Sequence, residues 1–165
     1  MKNLLLIAYL DLKESIRAKW FLVYSLVFGG MIALFFIAGV TQSQVMGFSG
    51  LSRLLLMYIQ ITIVILPIFI LVTTVRSISG DRDNHILEYM LSFPISLKQY
   101  YWGKILGRFI TVFLPVFFAM ILAVIYGVII GASVPWDILF LYSGLLFALS
   151  SAFLGIAFFI SSFVK

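Results

Sequence analysis

Four apolar runs without a charged residue, 21–40, 54–75, 109–130 and 138–164, constrain this chain more than any other feature. The first holds twenty residues, about 30 Å of helix, which is the thickness of the hydrocarbon core of a bilayer. The others are longer. Of the 165 residues, 64% are hydrophobic and 10% charged, and the mean hydropathy is +1.20. A soluble domain of this size has too little interior to hide so much apolar surface. The expected fold is an all-α integral membrane protein with four transmembrane helices, forming a single domain over residues 1–165.

The flanks of the runs set the orientation. Ten of the eleven Lys and Arg lie before the first run, between the second and third, or after the fourth. Arg53 stands alone on the other side. The positive-inside rule then places both termini and the central segment in the cytoplasm of a multi-pass protein of the cell membrane. The basic clusters beside apolar runs account for the net charge of +5, so a nucleic-acid partner is not expected.

Residues 1–19 lack a small-x-small cleavage site, and Asp11, Lys13, Glu14, Arg17 and Lys19 follow a short apolar stretch. This argues against a cleaved signal. Leu5, Tyr9, Leu12 and Ile16 repeat at helical spacing, as in an amphipathic helix lying in the membrane interface. Trp20 and Tyr24 are expected at that interface. Gly29, Gly30 and Gly39 are expected to admit a neighbouring helix. The polar stretch 41–52 reads as a surface loop. In the second run Pro67 bends the helix, and Gln60 and Thr62 line a pathway or join helices by hydrogen bonds. In the fourth run, tilting or a loosening around Ser150, Ser151 and Gly155 would absorb the extra length.

The chain lacks the chemistry of several function classes. It has no Cys, which excludes thiolate metal sites and Cys nucleophiles. Its single His supplies neither a di-haem bundle nor an H-E-x-x-H zinc site. Gly103-Lys104 is followed by Ile105, and Lys98 stands where a Walker A loop needs Gly, so no nucleotide site is expected. No Asp, Glu, Lys, Arg or His lies inside a run, whereas ion-coupled carriers usually place such groups there. The chain is expected to be no enzyme, to hold no catalytic, metal or cofactor site, and to draw any transport energy from elsewhere.

That leaves 76–108, RSISGDRDNHILEYMLSFPISLKQYYWGKILGR. Gly80-Asp81-Arg82-Asp83 reads as a charged turn. Ile86, Leu87, Met90 and Leu91 predict a short amphipathic helix over about 84–92, with Asp83 or Asn84 as N-cap and Phe93-Pro94 as the stop. Ser96-Leu97-Lys98-Gln99 fits a capping box that opens a second helix through Tyr100, Lys104 and Arg108 into the third run. A short exposed helix with an apolar face and flanking charges suits docking into a protein groove.

These residues resemble the permease subunits of type-2 ABC transporters. The shared pattern is Asp81-Arg82-Asp83, then Ile86-Leu87-Glu88-Tyr89-Met90-Leu91-Ser92-Phe93-Pro94, then Gly103-Lys104, with Glu14 and Arg17 on a helix ahead of the first run. The likeness is greatest to the subgroup that includes the nitrous-oxide-reductase maturation permease. His85-Ile86 stands where the family has Gly-Thr. The family usually has six spans, so the four present here imply a fragment or one part of a split permease. The resemblance implies that the short helix is a cytoplasmic coupling helix seated in a separate ATP-binding subunit, through Arg82, Asp83, Ile86, Leu87, Glu88, Met90 and Leu91. ATP and magnesium would be bound by that partner, in an assembly with two permease copies, identical or not, surrounded by membrane lipid, that exports a substrate. The alternative is a small four-span structural or assembly protein with no ATPase partner.

Overall fold

The computed structural model describes residues 2–38, 50–75, 77–93, 95–129, 131 and 134–163. The expected loop at 41–52 lies almost wholly outside the described residues, as do Gly39, Arg76, Pro94 and Lys165. Every regular element among the described residues is helical: α1 (Lys2–Arg17), α2 (Trp20–Ile37), α3 (Gly50–Thr74), α4 (Ser77–Asp83), α5 (Ile86–Leu91), α6 (Leu97–Ile129) and α7 (Trp136–Phe163). The four long helices α2, α3, α6 and α7 carry the four apolar runs, and each is long and apolar enough to cross a membrane.

The bundle is built on α6, with α2 packed on its flank and α3 pairing mainly with α7. Its core is apolar and aromatic: Phe28, Leu54, Leu55, Leu66, Val112, Val116 and Phe158 are all shielded completely. Hydroxyls tie the helices together at three places. The Tyr58 hydroxyl donates to the carbonyl of Val116 at 2.9 Å, joining α3 to α6. The Tyr24 and Thr73 hydroxyls meet at 2.9 Å, joining α2 to α3. Ser161 Oγ accepts from the backbone N–H groups of Ile78 and Ser79 at 3.0 and 3.3 Å, so α7 caps the otherwise unsatisfied N-terminus of α4.

Several expectations are corrected. Tyr24 is fully buried against Phe28 and Phe69 rather than exposed; its ring finds apolar partners and its hydroxyl a polar one inside the chain. α7 runs unbroken through its serines from Trp136 to Phe163, and Ser150 and Ser151 return their hydroxyls to the carbonyls of Leu146 and Phe147 in the same helix. α3 begins at Gly50, so Arg53 sits in its first turn. Gly29 and Gly30 admit no neighbour, for a Cβ at either would meet nothing within 4 Å.

Close approach happens elsewhere. A Cβ on Gly103 would lie 2.7 Å from the Ile7 Cβ, and one on Gly107 would lie 2.6 Å from the Ala8 carbonyl oxygen. These two glycines, one turn apart, form the groove of α6 in which α1 rests. Accordingly Ile7, Ala8, Asp11 and Ser15 of α1 are buried, while Leu5, Tyr9 and Ile16 stay exposed. The exposed apolar stripe fits an interfacial helix. Length points the same way. The 33 residues of α6 reach about 50 Å, some 20 Å more than a hydrocarbon core, so its first turns, where α1 packs, extend past the core into the interface.

At Gly107 the obstacle to any side chain is backbone, which cannot swing aside. Gly107→Val is expected to push α1 off α6, at a cost of about 1–3 kcal/mol, and to raise hydrogen exchange along residues 5–15. Gly155→Val, where a Cβ would meet nothing within 4 Å, is expected to leave that exchange unchanged.

Candidate functional site

The segment between α3 and α6 is two short helices and a left-handed joint. Gly80-Asp81-Arg82-Asp83 is not a turn but the end of α4. Asn84 does not cap the following helix either. Its Nδ2 donates to the Gly80 carbonyl at 2.8 Å, closing the C-terminal end of α4. His85 then takes φ 57°, ψ 14°, a region costing a non-glycine residue roughly 1–2 kcal/mol. Gly, which the resembled pattern has at this position, would take such a conformation without that cost. His85 Nδ1 lies 3.1 Å from Glu88 Oε2, which fixes its side chain beside the helix it precedes.

α5 is shorter than the expected 84–92, spanning Ile86–Leu91. Each of its described apolar residues lines a hollow against the rest of the chain. Leu87 faces a cleft between α4, α6 and α7. Met90 lines a groove shared with Leu6 and Leu10 of α1. Ile86, still 38% exposed, borders a polar cavity with Lys104 and Arg108. The Leu91 side chain lies outside the described residues. Asp83 and Glu88 point outward and are exposed. Arg82 is exposed too, but it lines the Leu87 cleft. The expected docking set therefore divides into an apolar face turned to the bundle and a polar face turned away from it. The second capping signal is present as read: Gln99 N–H donates to Ser96 Oγ at 3.3 Å, and Ser96 N–H donates to Gln99 Oε1 at 3.2 Å.

Beneath α4 lies a cluster that the sequence reading missed. Lys104 Nζ of α6 pairs with Asp81 Oδ2 of α4, and the Tyr100 hydroxyl donates to the same oxygen. Lys104 is also 3.8 Å from Asp11 Oδ1 of α1. Arg108 reaches Asp11 Oδ1 at 3.3 Å, Ser15 Oγ at 3.3 Å and Ser77 Oγ at 3.4 Å. All four ionisable groups, two cations and two carboxylates, are buried. Three helices distant in sequence are thus held by one balanced charge cluster. Burial pushes the Asp11 carboxyl above the ordinary aspartate range, against the opposing pull of Arg108 and Lys104. Asp11 Oδ2 and Arg108 Nε have no hydrogen-bond partner among the described residues. Asp81, Lys104 and Arg108 also line a polar cavity of about 210 Å³ beside the cluster.

Two signals pointed towards this arrangement. Asp81 and Lys104 both belong to the resembled pattern, and Gly103 and Gly107 are spaced one turn apart as a helix seat. Asp11 gave none, being one charge among several on an amphipathic helix. The residues noted in the second run fall differently again. Thr62 is fully buried, Pro67 is half-buried, and Gln60 is exposed with no hydrogen bond to a described residue.

Removing Asp81 leaves the buried Lys104 with only the more distant Asp11 carboxylate, 3.8 Å away. Asp81→Ala is expected to lower stability by about 3–5 kcal/mol, read by thermal unfolding of the detergent-purified chain. Adding Lys104→Met to it is expected to recover most of that loss, since a well-packed apolar replacement of both partners removes the stranded charge.

The model of a family described as ABC-2 family transporter protein matches residues 5–165. No curated protein matches the chain significantly. The match covers nearly the whole chain, which therefore belongs to the ABC-2 family: it is a membrane permease component of an ABC transporter, and not itself the catalytic part.

Proposed function

We propose that this permease uses the outward face of α4 and α5, with Asp83 and Glu88 as polar anchors, to engage a separate ATP-binding subunit, whose ATP-driven closure moves a substrate out across the cytoplasmic membrane. Membership of the ABC-2 family supports the partner. The observation that carries the site is the placement of α5. It is a six-residue helix whose exposed polar face stands away from the bundle, mounted on a buried charge cluster that reaches both α1 and α6. A force applied to α5 passes through α4 and Asp81 to Lys104, and so into the longest helix of the bundle. ATP and magnesium belong to the partner in this reading. The likeness to the nitrous-oxide-reductase maturation permeases, carried by the pattern at 81–94, is part of the same proposal.

Orientation follows the Lys and Arg count. The end of the bundle that carries α1, the central segment and the end of α7 faces the cytoplasm. A second permease copy, identical or not, completes the assembly. Gln60 supports that copy, because an amide left on the lipid-facing side of a membrane helix is costly until a partner or a water-lined cavity meets it.

Co-expression with the ATP-binding subunit tests the docking. Glu88→Lys is expected to weaken co-purification by about tenfold, the equivalent of one charge-assisted contact of about 1.4 kcal/mol, while leaving the thermal unfolding of the permease alone unchanged. Equal co-purification by Glu88→Lys, together with ATP turnover indifferent to the permease, would remove the proposal.

A further inference from the structure

Two clefts lie along the junction of α6 and α7, and Trp102 borders both. The outer one, of about 320 Å³, sits beside α4 and α5 and is walled by Leu87, Tyr101 and Trp102, with Arg82 and Lys98 at its edge. The inner one, of about 400 Å³, lies on the far side of Trp102 against Ile105, Phe109, Phe147 and Leu4 of α1 and is almost purely apolar. Along α6 the outer cleft belongs to residues 97–102 and the inner one to residues 102–109. The first lies in the part of α6 that exceeds the hydrocarbon thickness, and the second runs inward toward the membrane span.

Charge chooses between occupants. Lys104 and Arg108 are neutralised inside the chain by Asp81 and Asp11. Arg82 and Lys98 are not: both are exposed, and neither forms an ion pair with a described residue. Two uncompensated cations therefore sit at the polar mouth of a groove whose other end is oily. Trp102, 60% exposed between the two, occupies the depth that amphipathic rings favour at the headgroup level. A soluble partner would meet the mouth but not the oily continuation. A neutral lipid would meet the continuation but leave the cations unanswered.

We infer that the α6–α7 groove is a binding site for one anionic phospholipid, with its phosphate between Arg82 and Lys98 and an acyl chain passing Trp102 toward Phe109 and Phe147. The site depends on the membrane location of the chain and not on engagement of an ATP-binding subunit. It places a bound lipid against Leu87 at the inner face of α5, so anionic lipid content bears on how firmly α5 is seated.

Trp102 is the reporter. In full-length Trp20→Phe/Trp136→Phe chain it is the only Trp, and it is reconstituted into vesicles of phosphatidylcholine carrying either brominated phosphatidylglycerol or brominated phosphatidylcholine. Phosphatidylglycerol is expected to reach half-maximal quenching at a roughly thirtyfold lower mole fraction, the preference two near-surface cations confer on an anionic headgroup. The preference is expected to vanish in Arg82→Gln/Lys98→Gln and to persist in the charge-conserving Arg82→Lys/Lys98→Arg. Equal quenching by the two lipids overturns the inference, as does a preference that survives Arg82→Gln/Lys98→Gln. If the lipids quench equally while Arg82→Gln/Lys98→Gln abolishes co-purification with the ATP-binding subunit, the mouth belongs to an acidic protein surface, and the lipid assignment is wrong while the docking proposal stands.

Discussion

Four buried charges, Asp11, Asp81, Lys104 and Arg108, govern how this chain is put together at one end. None of them is tolerable alone in so dry a setting, because an isolated ion loses several kcal/mol of hydration there. Arranged as two cations and two carboxylates from three helices, they balance one another in charge, and Ser15, Ser77 and Tyr100 take up further hydrogen bonds. Such a cluster is a weak source of net stability but a strong source of geometry. It admits one mutual placement of α1, α4 and α6 and penalises the rest. The glycines at 103 and 107 serve the same end, for only a bare backbone lets α1 come near enough for Asp11 to reach Arg108.

The rest of this end of the chain follows from that anchorage. α4 is held below by Asp81 and at its N-terminus by Ser161 of α7. α5 hangs from α4 through the left-handed joint at His85 and is too short to be stable by itself. Its position is therefore imposed by what surrounds it: α1 on the Met90 side and the α6–α7 cleft on the Leu87 side. The proposed docking surface, the charge cluster and the proposed lipid groove are thus parts of one mechanical unit. Beyond it the long α6 passes into an apolar bundle in which the hydroxyls of Tyr24, Tyr58 and Thr73 join the helices.

The spans and the capping box at Ser96 were legible in the sequence because each rests on local physics: run length against bilayer thickness, and side-chain to backbone bonds three residues apart. The family pattern was legible too, but its meaning was not. Asp81 looked like part of a charged turn, because nothing in the sequence tells that Lys104, more than twenty residues on, lies beneath it. Asp11 was invisible for the same reason. The partners of Tyr24, Phe69 and Thr73, were not legible, because they come from another helix. Helix packing was expected at Gly29 and Gly30 and occurs at Gly103, Gly107 and Gly127 instead. The composition marks small residues; only the three-dimensional arrangement shows which of them another helix has used.

The central claim is that the charge cluster makes α1, α4 and α6 move as one body. The chain has no native Cys, so spin labels at Lys13→Cys on α1 and Gly80→Cys on α4 report the distance between those helices without background. The Lys13 side chain is exposed, and a Cβ at Gly80 meets nothing within 4 Å. In the assembled transporter, pulsed electron spin resonance is predicted to give one narrow distance distribution whose mean is the same with and without ATP, and which broadens when Arg108→Gln breaks the cluster. A mean that shifts with nucleotide while the cluster is intact, or a distribution indifferent to Arg108→Gln, would contradict the account.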